Sequence, residues 1–573
     1  MPRYIMRHLM TIFGLFFISQ KGIAQVFLNV DFEYGVYKSQ PRKWAIEGEG
    51  ETYYAWLDST VAKSGNKSLY TTLKKAVVYT FLSIPGELVA GKNIQIEGYI
   101  KFKSVDSLES MFMFRNPAGG KPIASQPIKA KSGEWTHVSH QASFPDNYSA
   151  DRLLIALIAS GTGEFWFDDV TIKIDGTEFG KGPPDFAEPA KKEIAVLNKM
   201  AVPITSLAAD SDFTDLVPLS RITENANIVA LGENSHGSSS IYKLKLRLVK
   251  YMVEKQGFLI FALEAPTVEA DRINDYVLYG KGTLTDVIKN LVYPSWQTQD
   301  MIDIIQWIKF YNKTAARKVE FKGFDMQDGI SAVNAVEDFA KINDTGLLAS
   351  LTDLKKCYDD AKNRKQQWDL VYQKSETIYQ ILEAESHLPD RNIEAKTFSR
   401  VKHYMNVFVQ SLSFQQKSEK TKSRDEYMAQ NIDWLVKNSG RRKIILSADN
   451  THVTKANGKM GSFLNDWYGK KYMTFGFTYN QGSYTAYGPE KYYQVHPSYA
   501  GTYEYFFSKS KFKNFLLDLR MIDDMPALNS VAGFRSIGSM PQETTQFTEI
   551  NLKKNFDVIV YIENSMHTIP LSK

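Results

Sequence analysis

The hydrophobic pattern of the chain changes near residue 195, and this change constrains the fold more than any other feature of the sequence. Before it, apolar residues such as Ile94, Ile96 and Ile100 alternate with polar ones such as Gln95 and Glu97. After it, short continuous apolar runs alternate with segments of helical periodicity. Alternation is typical of half-buried strands, whereas continuous apolar runs separated by helices are typical of a parallel sheet covered on both faces. The sequence therefore predicts a multidomain protein, with an all-β domain followed by an α/β domain.

The all-β domain is predicted to span residues 25–176. Gly-containing turns, such as residues 64–66 and 161–163, separate its alternating runs. Several short strands with regular turns are typical of a β-sandwich of the jelly-roll type. Residues 177–199 follow as a predicted linker, because residues 180–189 contain Gly-Lys-Gly-Pro-Pro and one further proline.

The α/β domain is predicted to span residues 200–573, with a mostly parallel sheet in a three-layer α/β/α arrangement. Five apolar runs have the length of buried strands: residues 227–231, 258–263, 319–324, 443–447 and 557–562. Residues 347–440 instead have helical character with few strand signals. We therefore predict a helical cap, inserted over the sheet edge at about residues 345–440.

Composition and charge exclude several classes of protein. The 573 residues are 43% hydrophobic and 23% charged, which is ordinary for a globular protein. The net charge is +5, and the sequence contains no dense run of Lys and Arg, so a nucleic-acid partner is not expected. A single cysteine, Cys357, excludes a disulfide framework.

Residues 1–24 have the features of a secretory signal peptide. Arg3 and Arg7 form a basic start, residues 9–19 are an apolar run too short to span a bilayer, and residues 22–24 place Gly and Ala at the cleavage positions. No later stretch of the sequence is long and apolar enough to act as a transmembrane anchor. We therefore expect an exported protein, periplasmic or extracellular.

Polar side chains follow the predicted buried strands at their carboxyl ends. Parallel strands present these ends at one edge of a sheet, where ligands bind in open α/β folds, so we expect the side chains to share one cleft. The residues concerned are Glu233, His236, Glu264, Asp325, Gln327, Asp449, Asn450 and His452. Carboxylates and histidines gathered in this way indicate a catalytic site.

The helix that follows the first of these strands contains a lysine on its apolar face. At about 100° per residue, Lys245 falls within the apolar arc, whereas Lys243 and Arg247 lie on the opposite face. A lysine that faces the core must pair with a carboxylate or lose its charge. We therefore expect Lys245 to pair with Glu233 or Glu264.

The residues at these strand ends resemble the sequence blocks of the erythromycin esterase family. Residues 231–237 (Leu-Gly-Glu-Asn-Ser-His-Gly) are similar to its glycine-glutamate-x-x-histidine motif. The later blocks follow in order, at residues 262–264, 300–307, 323–325, 448–453, 461–463, 475–478 and 481–483. The resemblance covers about residues 200–573.

This resemblance implies a hydrolase of ester or lactone bonds, in which His236 is the general base that activates water. It also implies that Glu233 and Glu264 support this base and that His452 is functional. Erythromycin-type macrolides are the named substrate of the family, which would connect the protein with antibiotic resistance, although family membership does not transfer specificity.

The sequence departs from the family pattern at two places. Asp449 stands where the first histidine of a histidine-asparagine-x-histidine block is usual, and Lys243 and Lys245 stand where arginines are usual. Because a lysine lacks the bidentate fork of an arginine, these changes bear on the substrate more than on the fold.

Physical chemistry favours the same role for His236. A histidine between a strand and a helix lies near the positive helix end, which favours the neutral imidazole, while a neighbouring carboxylate pulls the other way. We therefore expect a base with a pKa near neutrality and a stabiliser of the oxyanion in Lys245. The residues expected to contact the substrate are Lys243, Tyr293, Trp296, Asp325, Gln327, Asp449 and Asn450.

Two other functions are compatible with the same residues. His236, Glu264, Asp449 and His452 are ligand types that zinc or manganese accept, although their spacing matches no tight metal motif. No other cofactor is expected. The domain could instead be a non-catalytic binding protein for a sugar, haem or natural product, although an unused cluster of buried ionisable groups is costly.

The all-β domain resembles the galactose-binding-like jelly-roll modules, often carbohydrate-binding, of secreted bacterial enzymes. The resemblance rests on residues 29–33, 65–69, 133–135 and 165–170. It implies a carbohydrate partner besides the small-molecule ester, and a structural calcium ion held by Asp31 and Asp169.

Overall fold

The computed structural model describes residues 27–571, apart from residues 37, 116–122, 129–131, 149, 151, 182–187, 290, 292, 328, 365–366, 386–393, 417–421, 441, 496, 524 and 543–545. The predicted signal peptide lies outside the described residues. The chain divides into two compact units, of which unit 1 has residues 41–184 as its main part and unit 2 has residues 185–573. No described helix combines the length and the apolar composition that crossing a bilayer requires.

Unit 1 is built on an antiparallel sheet with its own core. Its strands are β1 (Ala45–Asp58), β2 (Ser68–Pro85), β3 (Asn93–Arg115), β4 (Ala124–Ile128), β5 (Thr136–Ser143), β6 (Arg152–Ile174) and β7 (Thr177–Phe179). The strand order is β1-β2-β6-β3-β4, with β5 on β3 and β7 on β6. The register shifts within β2, between Leu73 and Ala76, and side chains from both sides of this shift share one hydrophobic core. The expected sheet-rich N-terminal domain is confirmed.

The predicted linker, residues 177–199, contains regular structure at both ends. Thr177–Phe179 pairs with β6 as β7, and helix α1 spans Lys191–Met200. The prediction extended the linker too far because it relied on the Gly and Pro content of residues 180–189. Leu197 of α1 is fully buried in the core of unit 2, which explains why a helix forms there.

Unit 2 contains a mainly parallel sheet. Its strands are β8 (Val202–Pro203), β9 (Ile228–Leu231), β10 (Phe258–Pro266), β11 (Glu320–Asp325), β12 (Lys443–Ser447), β13 (Tyr472–Tyr484), β14 (Tyr493–Val495), β15 (Asn514–Asp518), β16 (Val531–Arg535), β17 (Phe547–Asn551) and β18 (Val558–Ser565). The main order is β11-β10-β12-β9-β13-β18-β15-β8, with β14 on β13, while β16 and β17 form a separate pair. The pairs from β11 to β18 are parallel, and β15 is antiparallel to β18.

All five predicted strands of the α/β domain are present, as β9, β10, β11, β12 and β18. The sequence analysis did not identify β13 as a strand, although β13 lies between β9 and β18 in the middle of the sheet. The motif-bearing strand β9 is therefore paired on both sides.

Unit 2 contains helices that pack on both faces of this sheet and helices that form a separate cluster. They are α1 (Lys191–Met200), α2 (Leu219–Ile222), α3 (Ser239–Gln256), α4 (Thr267–Tyr279), α5 (Leu284–Lys289), α6 (Gln299–Thr314), α7 (Gly329–Asn343), α8 (Thr345–Arg364), α9 (Trp368–Glu385), α10 (Ala395–Gln416), α11 (Arg424–Asn438), α12 (Asn450–Val453), α13 (Met460–Tyr468), α14 (Tyr503–Ser508), α15 (Pro526–Asn529) and α16 (Leu552–Asn555). Val229 and Leu231 of β9 share a core with α3, α4 and α6, whereas Ile228 and Ala230 share another with α11, α13 and α14. This alternation explains why β9 is apolar at every position.

The helical insertion differs from the predicted cap at residues 345–440. Helices α7, α8, α9 and α10 share a separate core, so the insertion begins at Gly329. Helix α11 instead packs Met428 and Ile432 against the sheet. The prediction included α11 because amphipathic periodicity shows that a helix has a buried face, but not which core covers that face.

Candidate functional site

The first predicted motif forms a tight turn between β9 and α3. The Gly237 backbone lies so close to the next segment that an added Cβ would meet the Thr485 carbonyl oxygen at 1.8 Å, so glycine is required there. The backbone N–H of His236 donates to the Gly538 carbonyl at 3.2 Å. Helix α3 then begins with the Ser238 hydroxyl accepting from the Ile241 N–H at 3.3 Å. These contacts fix the position of the His236 side chain.

Glu233 lies at the centre of this turn, fully buried, and accepts three hydrogen bonds. Its Oε1 accepts from His236 Nδ1 at 2.6 Å and from the Tyr242 hydroxyl at 2.8 Å. Its Oε2 accepts from Lys245 Nζ at 2.5 Å. The predicted pairing of Lys245 with Glu233 is therefore present, and the His236 ring is held with Nδ1 toward Glu233.

The second histidine of the site, His452, is held in the same way. Its Nδ1 lies 2.8 Å from Asp425 Oδ1, and its Nε2 lies 3.4 Å from Glu264 Oε1. The side chains of His236 and His452 are 16% and 15% exposed, so each imidazole can meet a ligand. Two carboxylate–histidine pairs therefore lie at the carboxyl ends of the parallel strands, where the sequence analysis expected a cleft.

An arginine that the sequence analysis did not identify joins the carboxylates of the site. Arg424, the first residue of α11, donates from Nε and Nη2 to the two oxygens of Asp325, at 3.2 and 2.8 Å. Its Nη2 also donates to Glu264 Oε1 at 2.8 Å. The guanidinium thus supplies a fixed positive charge beside His452, whose Nε2 lies 3.2 Å from Nη1.

Asp449 connects the two histidines. Its backbone N–H donates to Glu264 Oε2 at 3.0 Å, and its Oδ1 accepts from the Thr451 N–H at 2.8 Å as the N-cap of α12. The other oxygen, Oδ2, lies 3.8 Å from His236 Nε2, which is longer than a hydrogen bond. The reactive nitrogen of His236 therefore faces a carboxylate without being bound to it.

The charges around His236 change its protonation. Burial acts to lower the pKa of His236, but the hydrogen bond and negative charge of Glu233, with Asp449 and Glu264 further away, raise that pKa to about 9. Our expectation of a pKa near neutrality was therefore wrong, because Glu233 outweighs the helix end. Burial acts against ionisation of Glu264, yet the charges of His452 and Arg424 lower the pKa of this carboxyl to about 2.

Lys245 is not placed to stabilise an oxyanion directly, as we had expected. Its side chain has no exposed surface, and Nζ donates to Glu233 Oε2 and to the Ser447 hydroxyl at 3.0 Å. Burial lowers the pKa of Lys245, although the charge of Glu233 opposes this change. The structural role of Lys245 is to hold Glu233 behind the His236 ring.

Asn450 was expected to bind substrate, but its amide connects the first residue of α12 with β13. Nδ2 donates to the Phe477 carbonyl at 2.8 Å, and Oδ1 accepts from the Phe477 N–H at 3.1 Å. Both ends of the side chain are therefore used within the protein. Lys243, also expected at the substrate, is exposed on α3, whereas Lys245 two residues later is buried.

The predicted aromatic residues border His236. Trp296 is buried, with its ring edge-on to the His236 ring at a centroid distance of 5.2 Å. The Tyr293 hydroxyl donates to Gln327 Oε1 at 2.8 Å. Residues 293–296 thus run from Gln327, just beyond β11, to the turn between β9 and α3.

The four residues proposed as metal ligands are already engaged with other groups. Arg424 contacts Glu264, and His452 is bound to Asp425. Among the residues that the structure describes, no three His, Cys, Asp or Glu side chains form a group that could hold a metal ion. These four side chains therefore suit the Arg424 guanidinium that lies among them better than a metal ion.

Arg424, Asp425, Tyr242 and Ser447 complete the site but were missed in the sequence. Ser423, Arg424 and Asp425 do form a helix-start pattern, since the Ser423 hydroxyl accepts from the Glu426 N–H at 3.1 Å. The sequence contains no signal, however, that this helix begins beside the strand ends.

In unit 1, the acids expected to hold calcium line one cavity. Asp31 and Asp169 border it together with Glu33, and its volume is about 540 Å³. Asp169 Oδ1 accepts from the Ser64 hydroxyl at 2.6 Å. The structure brings the two acids to one place, and calcium binding there stays a prediction.

Comparisons with known proteins identify the family and the fold of unit 2. The family model described as erythromycin esterase matches residues 253–565, more than half of the chain. The chain is 26% identical over 415 residues to erythromycin esterase type II of Escherichia coli, a match that covers 62% of this chain and 94% of that protein. It is 25% identical over 291 residues to the putative hydrolase YbfO of Bacillus subtilis, covering 45% and 63% of the two chains.

Solved structures are similar in fold. A Bacillus cereus protein matches with a TM-score of 0.60 and 24% identity, over 66% of this chain and 99% of that chain. A mutant of the erythromycin esterase EreC, in its open conformation, matches with a TM-score of 0.52 and 19% identity, over 64% and 97%. On the family model matched across residues 253–565, the chain belongs to the erythromycin esterase family.

Proposed function

We propose that unit 2 hydrolyses an ester or lactone bond, with His236 as the general base that activates water. The observation that carries this proposal is the 2.6 Å hydrogen bond between His236 Nδ1 and the buried Glu233. This bond fixes the tautomer of the neutral ring, which leaves Nε2 free to accept a proton. A general base held in this way raises the reaction rate by a factor of about 10²–10⁴.

The reaction that we propose needs no covalent intermediate. Water attacks the carbonyl carbon while Nε2 of His236 takes its proton, and the carbonyl oxygen becomes an oxyanion. The carbon–oxygen bond to the leaving group then breaks, and the leaving alkoxide takes the proton held by Nε2 of His236, which restores the neutral base. The product is the acid and alcohol, or the opened hydroxy acid of a lactone.

Arg424 and His452 are better placed than Lys245 to meet the oxyanion. The Arg424 side chain is 21% exposed, whereas Lys245 is sealed from solvent. Burial acts to lower the pKa of His452, but the charges of Glu264 and Asp425 outweigh burial and raise that pKa, which favours the protonated imidazole beside the guanidinium. We therefore assign stabilisation of the oxyanion to this pair, with Glu264 and Asp325 holding it in place.

The test uses the purified full-length chain with a panel of simple aryl esters, simple lactones and erythromycin-type macrolides. Mass spectrometry detects a product heavier by one water, and His236→Ala is expected to lower kcat by about 10²–10⁴. His137→Ala is the matched control, because this exposed histidine belongs to unit 1. Full turnover by His236→Ala would refute the assigned base, whereas a macrolide product would connect the protein with antibiotic resistance.

The same assay separates the two other interpretations. We expect hydrolysis to survive exhaustive dialysis against a chelator, because Arg424 supplies the positive charge of the site. If turnover is lost on dialysis and is restored by zinc or manganese, the metal-dependent hydrolase is favoured. Tight binding of a ligand with no turnover in any arm would favour a non-catalytic binding protein.

A second function, carbohydrate binding by unit 1, is favoured by a row of aromatic rings. Tyr54, Trp56, Tyr70 and Trp166 lie side by side across β1, β2 and β6, with neighbouring centroids 6.2, 4.9 and 5.1 Å apart. Tyr54 is 44% exposed, Trp56 and Tyr70 are partly exposed, and Trp166 is buried at the end of the row. Partly exposed aromatic rings offer an apolar surface against which the apolar face of a sugar ring can pack.

Affinity electrophoresis in gels that contain soluble polysaccharides tests this second function. Trp56→Ala is expected to abolish any retardation of the full-length chain. Trp467→Ala is the control, because Trp467 is 45% exposed and belongs to unit 2. Equal retardation of the two variants would show that the row is not the binding surface.

Export to the periplasm or beyond is proposed on the N-terminal sequence alone. Cell fractionation and N-terminal sequencing test it, and a mature chain beginning near residue 25 is expected.

A further inference from the structure

A second cavity lies at the end of the unit 2 sheet opposite to His236. Its volume is about 400 Å³, and it is bordered by the amino ends of β10 and β11 and by Arg442, the residue before β12. The last turns of α4 and α11 and the first turn of α10 complete its walls. We call it the amino-end cavity, because the catalytic residues lie at the carboxyl ends of the same strands.

The charges around the amino-end cavity are predominantly positive. Five cationic side chains and three carboxylates line it. Of the carboxylates, Glu320 already faces Arg442 at 2.6 Å, Lys322 at 3.5 Å and Lys396 at 3.9 Å. Asp275 is paired with Lys281 at 3.1 Å. Lys322 also pairs with Asp271 at 2.8 Å, and the third lining carboxylate, Glu394, accepts from the Thr397 hydroxyl at 3.4 Å. With Asp271 included, five cations face four carboxylates, which leaves an excess of one positive charge.

Arg400, on the first turns of α10, is the cation with the least compensation. None of the residues that the structure describes forms an ion pair or a hydrogen bond with its guanidinium, and its Nε is sealed from solvent without an acceptor. Lys322 lies close enough for its charge and that of Arg400 to repel each other. A guanidinium N–H that is buried without an acceptor is costly, so this position favours an incoming oxyanion.

The wall beside these cations is aromatic and rigid. Trp434 lines the cavity, and the buried His403 ring stacks on it at a centroid distance of 3.8 Å and an angle of 2°. Leu278 adds a second apolar surface. The cavity therefore combines a cationic side with a flat apolar side.

We propose that the amino-end cavity binds a small organic anion. Its phosphate or carboxylate group pairs with Arg400 and Lys396, and its apolar part lies against Trp434 and Leu278. An arginine that lacks a partner recognises either oxyanion through paired N–H donors. This site is separate from the hydrolytic centre and does not depend on the reaction proposed for His236.

Isothermal titration calorimetry on the full-length chain tests the proposal with three probes: phenyl phosphate, benzoate and inorganic phosphate. Chloride holds the ionic strength constant, so that general screening contributes equally to every titration. We expect phenyl phosphate or benzoate to bind more tightly than inorganic phosphate. Arg400→Gln should weaken this binding at least tenfold, whereas Arg364→Gln, which changes a 74% exposed arginine of α8, should leave it unchanged.

Lys396→Gln is the second variant, because this side chain is 69% exposed and its replacement leaves the fold intact even if Arg400→Gln does not fold. It is expected to weaken binding as well, and His236→Ala should retain it. Absence of heat with all three probes would overturn the proposal, as would equal affinities of the wild type, Arg400→Gln and Lys396→Gln.

Discussion

The protonation of one residue, His236, sets the pH range in which the proposed reaction can run. Burial works to lower the pKa of His236, but Glu233 and the other nearby carboxylates raise it from 6.5 to about 9. Below that value the imidazole is mostly protonated and cannot accept a proton from water. We expect kcat/KM to rise about tenfold per pH unit until it levels off near pH 9.

Replacing Glu233 tests the cause of this pH dependence. Glu233→Gln removes the negative charge beside Nδ1, so the pKa of His236 should fall toward its ordinary value of 6.5 and the rise in kcat/KM should move to lower pH. A pH–rate profile of wild type and variant measures the shift. An unchanged profile would mean that another group controls the activity.

Arg424 is the residue on which the stability of the site depends most. Its guanidinium pairs with Glu264 and with Asp325, whose side chains are 6% and 0% exposed. Arg424→Gln leaves two buried carboxylates without this charge, so the free energy of unfolding should fall by about 3–5 kcal/mol. Urea denaturation measures the change, and Arg364→Gln should change it by less than about 0.5 kcal/mol.

If Arg424→Gln lowers the free energy of unfolding no more than Arg364→Gln does, other groups stabilise Glu264 and Asp325.

At the scale of elements, the Asn450 side chain connects the start of α12 with the middle of β13. Asn450 binds both the N–H and the carbonyl of Phe477. Asn450→Ala leaves these buried groups unpaired, and we expect the free energy of unfolding to fall by about 1–3 kcal/mol. Denaturant unfolding measures the loss.

Steady-state kinetics on the same variant separates this role from substrate binding. If the only role of Asn450 is to connect α12 with β13, the KM of the folded variant should stay within a small factor of the wild-type value. A large rise in KM with unchanged stability would instead restore the role that the sequence suggested.

At the scale of the whole molecule, each of the two units has a hydrophobic core of its own. We propose that they are separate domains with separate tasks. A fragment of residues 185–573 should therefore fold alone and retain ester hydrolysis, with kcat/KM within about twofold of the full-length chain, since removing a separate domain leaves the transition-state contacts unchanged. Calorimetry and the ester assay on the fragment test this; an inactive, unfolded fragment would contradict the division.

The sequence was sufficient for much of the architecture. Continuous apolar runs identified β9, β10, β11, β12 and β18, because strands covered on both faces cannot carry polar residues. The rule that polar residues at parallel strand ends share one edge brought together His236, Glu264, Asp449 and His452. Helical periodicity placed Lys245 in the core, and the need to compensate a buried charge then named Glu233 and Glu264 as candidate partners. The structure shows that Glu233 is the partner.

Other features depended on contacts between distant segments. Arg247 has the spacing of an exposed position on α3, yet it is buried against Asp215, because a segment before β9 covers that side of the helix. Arg424 has an ordinary helix-start sequence, and only the packing of α11 on the sheet brings it to Glu264. The pKa of His236 depends on how close Glu233 lies and how fully it is buried, which spacing along the chain does not specify.

The sequence by itself determined the family, five strands of the parallel sheet and the motif residues at their carboxyl ends, because each of these follows from local pattern and composition. The tertiary structure alone decided which groups reach the reacting edge, which ones hold them from behind, and in which charge state they act. Those properties depend on distances and burial between segments that lie far apart in the chain.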